Sequence, residues 1–148
     1  MRLVTVALLL FSLDAGARVD TLWVRSTSMD KTIGTIIITP TEYEQNNELY
    51  PAVYILHGAG GDYGNWLRRM PELEELSNEF GFVFVCPDGE KTSWYLDSPL
   101  DSSMKYETYI IDELVPEIDS NYRINKKAIT GLSMGGHGAL YLLSLIHI

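Results

Sequence analysis

Basic charge is scarce in this chain. Eleven Lys and Arg stand against 20 Asp and Glu, for a formal net charge of −9. With no Lys/Arg cluster to offset it, that balance argues against nucleic acid or an anionic membrane surface as partner, while neutral substrates are compatible with it. Cysteine is nearly missing as well. Cys86 is alone, so no intrachain disulfide can form, and its place at the end of Phe82-Val83-Phe84-Val85 reads as a small hydrophobe. No apolar run approaches the ~20 residues of a membrane-spanning helix. Only three histidines are present, and no paired His/Cys/Asp spacing resembles a metal site. Gly58-Ala59-Gly60-Gly61 lacks the Gly-Lys-Ser/Thr of a phosphate loop. We therefore expect no metal, no cofactor and no membrane anchor. Repeats and low-complexity tracts are absent too, and 148 residues at 46% hydrophobic and 21% charged allow at most one globular domain.

The first seventeen residues read as a secretory signal peptide. Arg2 supplies a positive start, Leu3 to Leu13 is mostly apolar and too short to span a bilayer, and Ala15-Gly16-Ala17 offers a small-x-small cleavage site. The competing reading is a buried first strand around Val4-Thr5-Val6. Export predicts a secreted or periplasmic protein whose residues 18–148 form the N-terminal part of a single domain. With no Cys after the site, a lipid anchor is not expected.

The most informative residues are Gly131-Leu132-Ser133-Met134-Gly135, a G-x-S-x-G preceded by the strand-like Ala128-Ile129-Thr130 and followed by the helix-like Gly138 to Leu143. This is the context of a nucleophile elbow, a tight strand-to-helix turn that lifts a serine above a sheet. The glycines leave room for the turn and for close helix–strand packing, and the helix N-terminus faces a developing oxyanion.

Elsewhere, Val19 to Arg25 and Ile33 to Thr39 read as strands, the second rich in β-branched residues. Ala52 to Leu56 and Phe82 to Cys86 are continuous apolar runs, as for strands buried on both faces. Trp66, Met70, Leu73, Leu76 and Phe80 fall at helical spacing. Ile111, Leu114, Val115, Ile118 and Tyr122 mark another helix, which Pro116 should kink or restart. Lys127 to Thr130 is the strand feeding the elbow. The alternation predicts an α/β fold with parallel strands and an antiparallel N-terminal edge.

In order, Leu56-His57-Gly58-Ala59-Gly60-Gly61-Asp62, Asn65-Trp66, Pro87-Asp88-Gly89, Ser93-Trp94-Tyr95, Tyr106-Glu107-Thr108-Tyr109-Ile110 and Gly131 to Leu140 resemble the esterase family of α/β-hydrolases. That family includes esterase D (S-formylglutathione hydrolase), feruloyl and acetyl-xylan esterases and mycolyltransferases. The resemblance covers about residues 20–144. It implies the α/β-hydrolase fold, a mostly parallel sheet flanked by helices, here ending after the elbow helix. It also implies Ser133 as nucleophile and the Met134 N–H as one oxyanion donor. The second donor would come from the glycine-rich loop, with Ala59 preferred and Gly60 as the alternative. Trp66, Trp94 and Tyr95 lie in regions that line the acyl or alcohol pocket in relatives, with ordinary packing as the equal alternative for each.

None of the histidines suits the general base. His57 sits in the oxyanion loop, His137 lies one helical turn past Ser133 and should pack under the elbow or cap a neighbour, and His147 lies farther along the same run. Asp88 and Asp97 precede Ser133, whereas the acid and base of this architecture follow it in the order Ser, Asp/Glu, His. Asp88 reads as a turn former, and Glu107 as surface rather than pocket. Fifteen residues follow Ser133. The expectation is therefore a fragment whose triad Asp and His lie beyond residue 148, with Ser144 to Ile148 as translated sequencing adapter. Such a fragment should be poorly soluble and nearly inactive, since its elbow strand would stand at a sheet edge. The parent is expected to be a secreted serine esterase acting on a small ester or acylated plant polysaccharide, by removing acetyl or feruloyl groups. Acyl transfer, an S-formylglutathione hydrolase-like thioesterase, and a non-catalytic carbohydrate-binding remnant are the alternatives.

Overall fold

The structure, a computed structural model, describes residues 16–145. Most of the signal-peptide reading, His147 and the end of the adapter reading lie outside the described residues. Five strands form one sheet in the order β1-β2-β4-β3-β5. They are β1 (Arg18–Ser26), β2 (Lys31–Thr39), β3 (Tyr50–Leu56), β4 (Val83–Pro87) and β5 (Ile124–Gly131). β1 and β2 make an antiparallel hairpin, with Arg18 opposite Thr39 and Ser26 opposite Lys31. β2 pairs antiparallel with β4, while β4, β3 and β5 run parallel. The expected parallel sheet with an antiparallel N-terminal edge is what the chain forms.

Handedness sorts the helices onto two faces. From β3 the chain steps one way to β4, and from β4 it crosses back over β3 to β5. Right-handed crossovers in opposite directions place their helices on opposite sides. On one side lie α1 (Asn65–Arg69) and α2 (Leu73–Phe80), over a core of Ile36, Ile38, Ile55, Leu73, Phe84 and Cys86. On the other lie α3 (Tyr106–Thr108), a π-helical stretch (Tyr109–Leu114), α4 (Val115–Asn121) and α5 (Met134–Leu145). Their core is the larger one, including Ile37, Leu56, Val85, Tyr109, Leu114, Ile118, Met134 and Leu142. β3 is thus the point at which strand order reverses, and the crevice beyond its carboxyl end is where such sheets bind ligands.

One helix reading needs correction. The single helix through Trp66 to Phe80 is two, broken at Met70-Pro71-Glu72. Pro71 cannot donate a backbone bond and disfavours α geometry at Met70, which sits at φ −139°, ψ 73°. The apolar stripe is accordingly split: Leu73 is buried while Met70 and Phe80 are exposed. At Pro116 the helix restarts, one of the two outcomes expected of it. The turn ahead of it widens into the π stretch, and Pro116 takes the first turn of α4, where its missing N–H costs least. Among the described residues no helix is long and apolar enough to cross a membrane.

Candidate active site

β5 ends at Gly131 and α5 begins at Met134, leaving two residues for the reversal. Ser133 makes it with φ of +56°, a left-handed conformation that costs an L-residue roughly 1–2 kcal/mol. The surroundings hold it there. The Leu132 N–H donates to Leu56 O (3.3 Å), the Gly135 N–H to Leu132 O (2.9 Å) and the His137 N–H to Ser133 O (3.0 Å). The two glycines are required by proximity. A Cβ on Gly131 would lie 2.4 Å from the Gly135 carbonyl, and one on Gly135 would lie 2.2 Å from Leu56 O. Helix α5 therefore rests directly on the end of β3, and Ser133 is left exposed.

The loop after β3 closes on the same spot. At Gly58, a Cβ would stand 3.2 Å from Leu132 O and 3.6 Å from Ser133 Cβ. Of the two loop amides considered as oxyanion donors, Gly60 N–H is taken by Lys91 O at 2.9 Å. Ala59 is exposed, and its N–H has no acceptor among the described residues; the Met134 N–H has none either, although the Met134 side chain is fully buried. Two uncommitted amides thus flank the exposed serine, from the β3 loop and from the start of α5.

His57 fixes that loop from below. It is fully buried, and its Nε2 accepts the Gly89 N–H at 2.8 Å. The ring proton therefore sits on Nδ1, which donates to Gly58 O at 2.8 Å. With both nitrogens committed, His57 is a strut between the β3 and β4 loops. A local hydrogen bond of the ring within its own loop fits its place in the sequence, but the bond to Gly89 was not legible there. Its only sequence trace is that His-Gly and Pro-Asp-Gly end two successive buried runs. Asp88 behaves as a turn former, its Oδ1 accepting the Glu90 N–H at 2.8 Å. Asp97 caps α3, accepting the Thr108 N–H (3.1 Å) and hydroxyl (2.6 Å).

The three aromatic candidates occupy different places. Trp94 and Tyr95 are both left-handed, at φ +54° and +58°, which turns them to opposite sides. Tyr95 points in. It is fully buried, its hydroxyl donates to His57 O at 3.2 Å, and its ring wedges against Gly89 and Gly138. This is a packing position, with no surface open to a substrate. Trp94 points out, 47% exposed. Its carbonyl accepts from His137 Nδ1 at 3.1 Å and its ring meets the His137 ring edge-to-face. His137 stacks in turn on Tyr141, whose hydroxyl donates to Glu107 at 2.8 Å. His137 caps a neighbour, as expected, and Glu107 is half-buried rather than free surface. Trp66 lies on α1 and packs with the core of the opposite face, and its buried indole N–H has no acceptor among the described residues.

The model of the Esterase family (described as "Putative esterase") matches residues 26–145. An esterase of Mycobacterium tuberculosis is 32% identical over 114 residues, 72% of this chain and 25% of that protein. An acetyl esterase of Caldicellulosiruptor saccharolyticus is 33% identical over 99 residues, 64% of this chain and 36% of that one. A solved ferulic acid esterase superposes with a TM-score of 0.74 at 27% identity, over 84% of this chain and 54% of its own. The chain thus spans about a quarter to a half of the length of these relatives. With the family match covering most of the chain and the fold shared, the protein belongs to the Esterase family of α/β-hydrolases.

Proposed function

We propose that this chain carries the nucleophile and oxyanion donors of a secreted serine carboxylic ester hydrolase that removes acetyl or feruloyl groups from plant polysaccharide. The observation that carries the reading is Ser133 itself, exposed at φ +56° between two uncommitted amides. Its Oγ attacks the ester carbonyl. The tetrahedral oxyanion is held by the Met134 and Ala59 N–H groups, each such donor being worth about 3 kcal/mol. Collapse expels the alcohol and leaves an acyl group on Ser133, which water then removes. Both steps need a base that takes the proton from Oγ and returns it to the leaving oxygen. His57 has no free ring nitrogen, and His137 lies one turn along α5 with its ring packed between Trp94 and Tyr141. We therefore place the His and its carboxylate in sequence beyond residue 148. The acyl classes are supported by the acetyl and ferulic acid esterases among the relatives, and export by the charge, apolar core and Ala-Gly-Ala of residues 1–17.

The test is release of acetate and ferulate from acetylated and feruloylated xylan by the whole protein that contains this chain. Ser133→Ala is expected to cut turnover at least about a thousandfold. Unchanged release in that variant would refute the reading.

A further inference from the structure

We propose that a notch on the β1–β2 side of the His57 loop is a subsite for a neutral pyranose ring, holding the sugar part of an acylated glycan while its ester lies at Ser133. The acyl half of that statement rests on the esterase reading; the sugar contact does not.

The notch has a volume of about 180 Å³, lined among others by Trp23, Gly34, Tyr63, Asp88, Glu90 and Tyr106. Its size is that of a single sugar ring. It belongs to the carboxyl-end face of the parallel strands: Asp88 and Glu90 follow β4, and Asp88 Oδ1 stands 3.7 Å from His57 Nε2. The same histidine holds Gly58, which abuts Ser133. Ser133 follows β5 and the notch lies over β4 and β2, two to three strand spacings away in the sheet order. At about 4.8 Å per spacing this is roughly 10–15 Å, a span an oligosaccharide bridges and a monosaccharide does not.

The walls carry the two kinds of contact a sugar ring needs. Trp23 stands on the edge strand β1 with 59% of its surface exposed, packed at 68° against Tyr63 with ring centroids 5.6 Å apart. Rigid aromatic surfaces of this kind bury the apolar C–H face of a pyranose at little entropic cost. Gly34 makes the arrangement possible, since a Cβ there would lie 2.9 Å from the Tyr63 ring and 3.2 Å from Trp23. The Asp88 and Glu90 carboxylates are acceptors for sugar hydroxyls, in charge-assisted hydrogen bonds. Charge then selects among ligands. Lys31 also lines the notch, but the two carboxylates outnumber its single ammonium, and the remaining negative charge disfavours a uronic acid. An organic cation is disfavoured too, because Lys31 Nζ already occupies the space over the Tyr106 ring at 4.8 Å and donates to Ser103 O at 2.7 Å. A neutral polyol ring is what remains.

The whole protein that contains this chain, labelled with ¹⁵N, is titrated with unsubstituted xylotriose while the indole resonance assigned to Trp23 is followed. The expected result is a saturable shift of the Trp23 resonance. Trp23→Ala should bind xylotriose at least tenfold more weakly, and trigalacturonate should bind wild type more weakly than xylotriose. Trp23 is mostly exposed, so its replacement leaves the core intact, and an unchanged pattern of remaining amide resonances verifies this. A Trp23 resonance unmoved up to the solubility limit of the sugar, a Trp23→Ala variant that binds as tightly as wild type, or preference for trigalacturonate would overturn the proposal. Because xylotriose carries no ester, the readout is independent of Ser133. An inactive parent protein with intact Trp23-dependent sugar binding would sink the esterase reading alone, and an active one with no such binding would sink this proposal alone.

Discussion

Gly135→Ala adds one methyl group where α5 leans hardest on the sheet. The new Cβ would sit 2.2 Å from the Leu56 carbonyl oxygen, 2.6 Å from the Leu56 carbonyl carbon and 2.7 Å from His57 O. All three are backbone atoms, so no side-chain rotation relieves the clash. Restoring an ordinary C···O separation of about 3.3 Å displaces the start of α5, or the end of β3, by roughly 1 Å. Overpacking of this kind costs about 1–3 kcal/mol, and an unyielding backbone on the far side places the cost near the upper figure. For a domain of this size ~3 kcal/mol corresponds to a fall in Tm of about 6–12 °C. The same displacement carries Ser133 and the Met134 amide with it, and a misplacement of about 1 Å is worth roughly a hundredfold in turnover. Gly136→Ala is the internal control. Its Cβ would meet nothing nearer than Gly131 O at 3.3 Å, and Ala is favoured over Gly in a helix by up to about 1 kcal/mol. Thermal melts of the two variants, with ester hydrolysis by the whole protein, separate them. A Gly135→Ala protein melting within about 2 °C of Gly136→Ala would refute the packing argument.

Three further outcomes are expected. Tyr95→Phe removes the hydroxyl that donates to His57 O and leaves a buried carbonyl short of a partner, a loss of about 1–2 kcal/mol readable in urea denaturation; an unchanged midpoint contradicts the strut. Burial pushes the Glu113 carboxyl up, but hydrogen bonds from Ser26, Thr27 and Ser28 outweigh it and hold it below the usual carboxylate range. A depressed native pKa adds stability above the unfolded carboxylate's value that is lost as pH falls through the native one. Glu113→Gln should therefore show a shallower loss of stability on acidification than wild type, and equal slopes would exclude the effect. Burial pushes the Cys86 thiol up to about 12, so it should resist a maleimide at pH 8 in the folded protein and react on unfolding; prompt native labelling would show that the strand is not buried as described.

The strands were legible because burial on both faces leaves a plain trace. Ala52 to Leu56 and Phe82 to Cys86 are unbroken apolar runs, and the hairpin strands are rich in Ile, Val and Thr. The elbow was legible because its glycines are demanded by close backbone approach, a requirement few other contexts impose. The aromatic candidates were not. Which way Trp94 and Tyr95 face depends on two consecutive left-handed residues, and no side-chain pattern announces that in non-glycine positions. Ser93 helps to set the turn, its hydroxyl accepting the Tyr95 N–H at 3.0 Å and donating to Gly89 O. The helix break at Pro71 was visible in composition but masked by the regular spacing of Trp66, Met70, Leu73 and Phe80. The contacts of His57 with Gly89, and of Trp23 with Tyr63, join residues 32 and 40 positions apart, and sequence periodicity carries no information at that range.

The central claim is that Ser133 takes the acyl group. The whole protein is mixed with a feruloyl or acetyl ester, quenched in acid during turnover, and the peptide spanning Gly131 to Leu140 is weighed by mass spectrometry. The account predicts an acyl adduct on Ser133 that is absent from Ser133→Ala. Turnover with the adduct on another residue, or with hydrolysis surviving in Ser133→Ala, would contradict it.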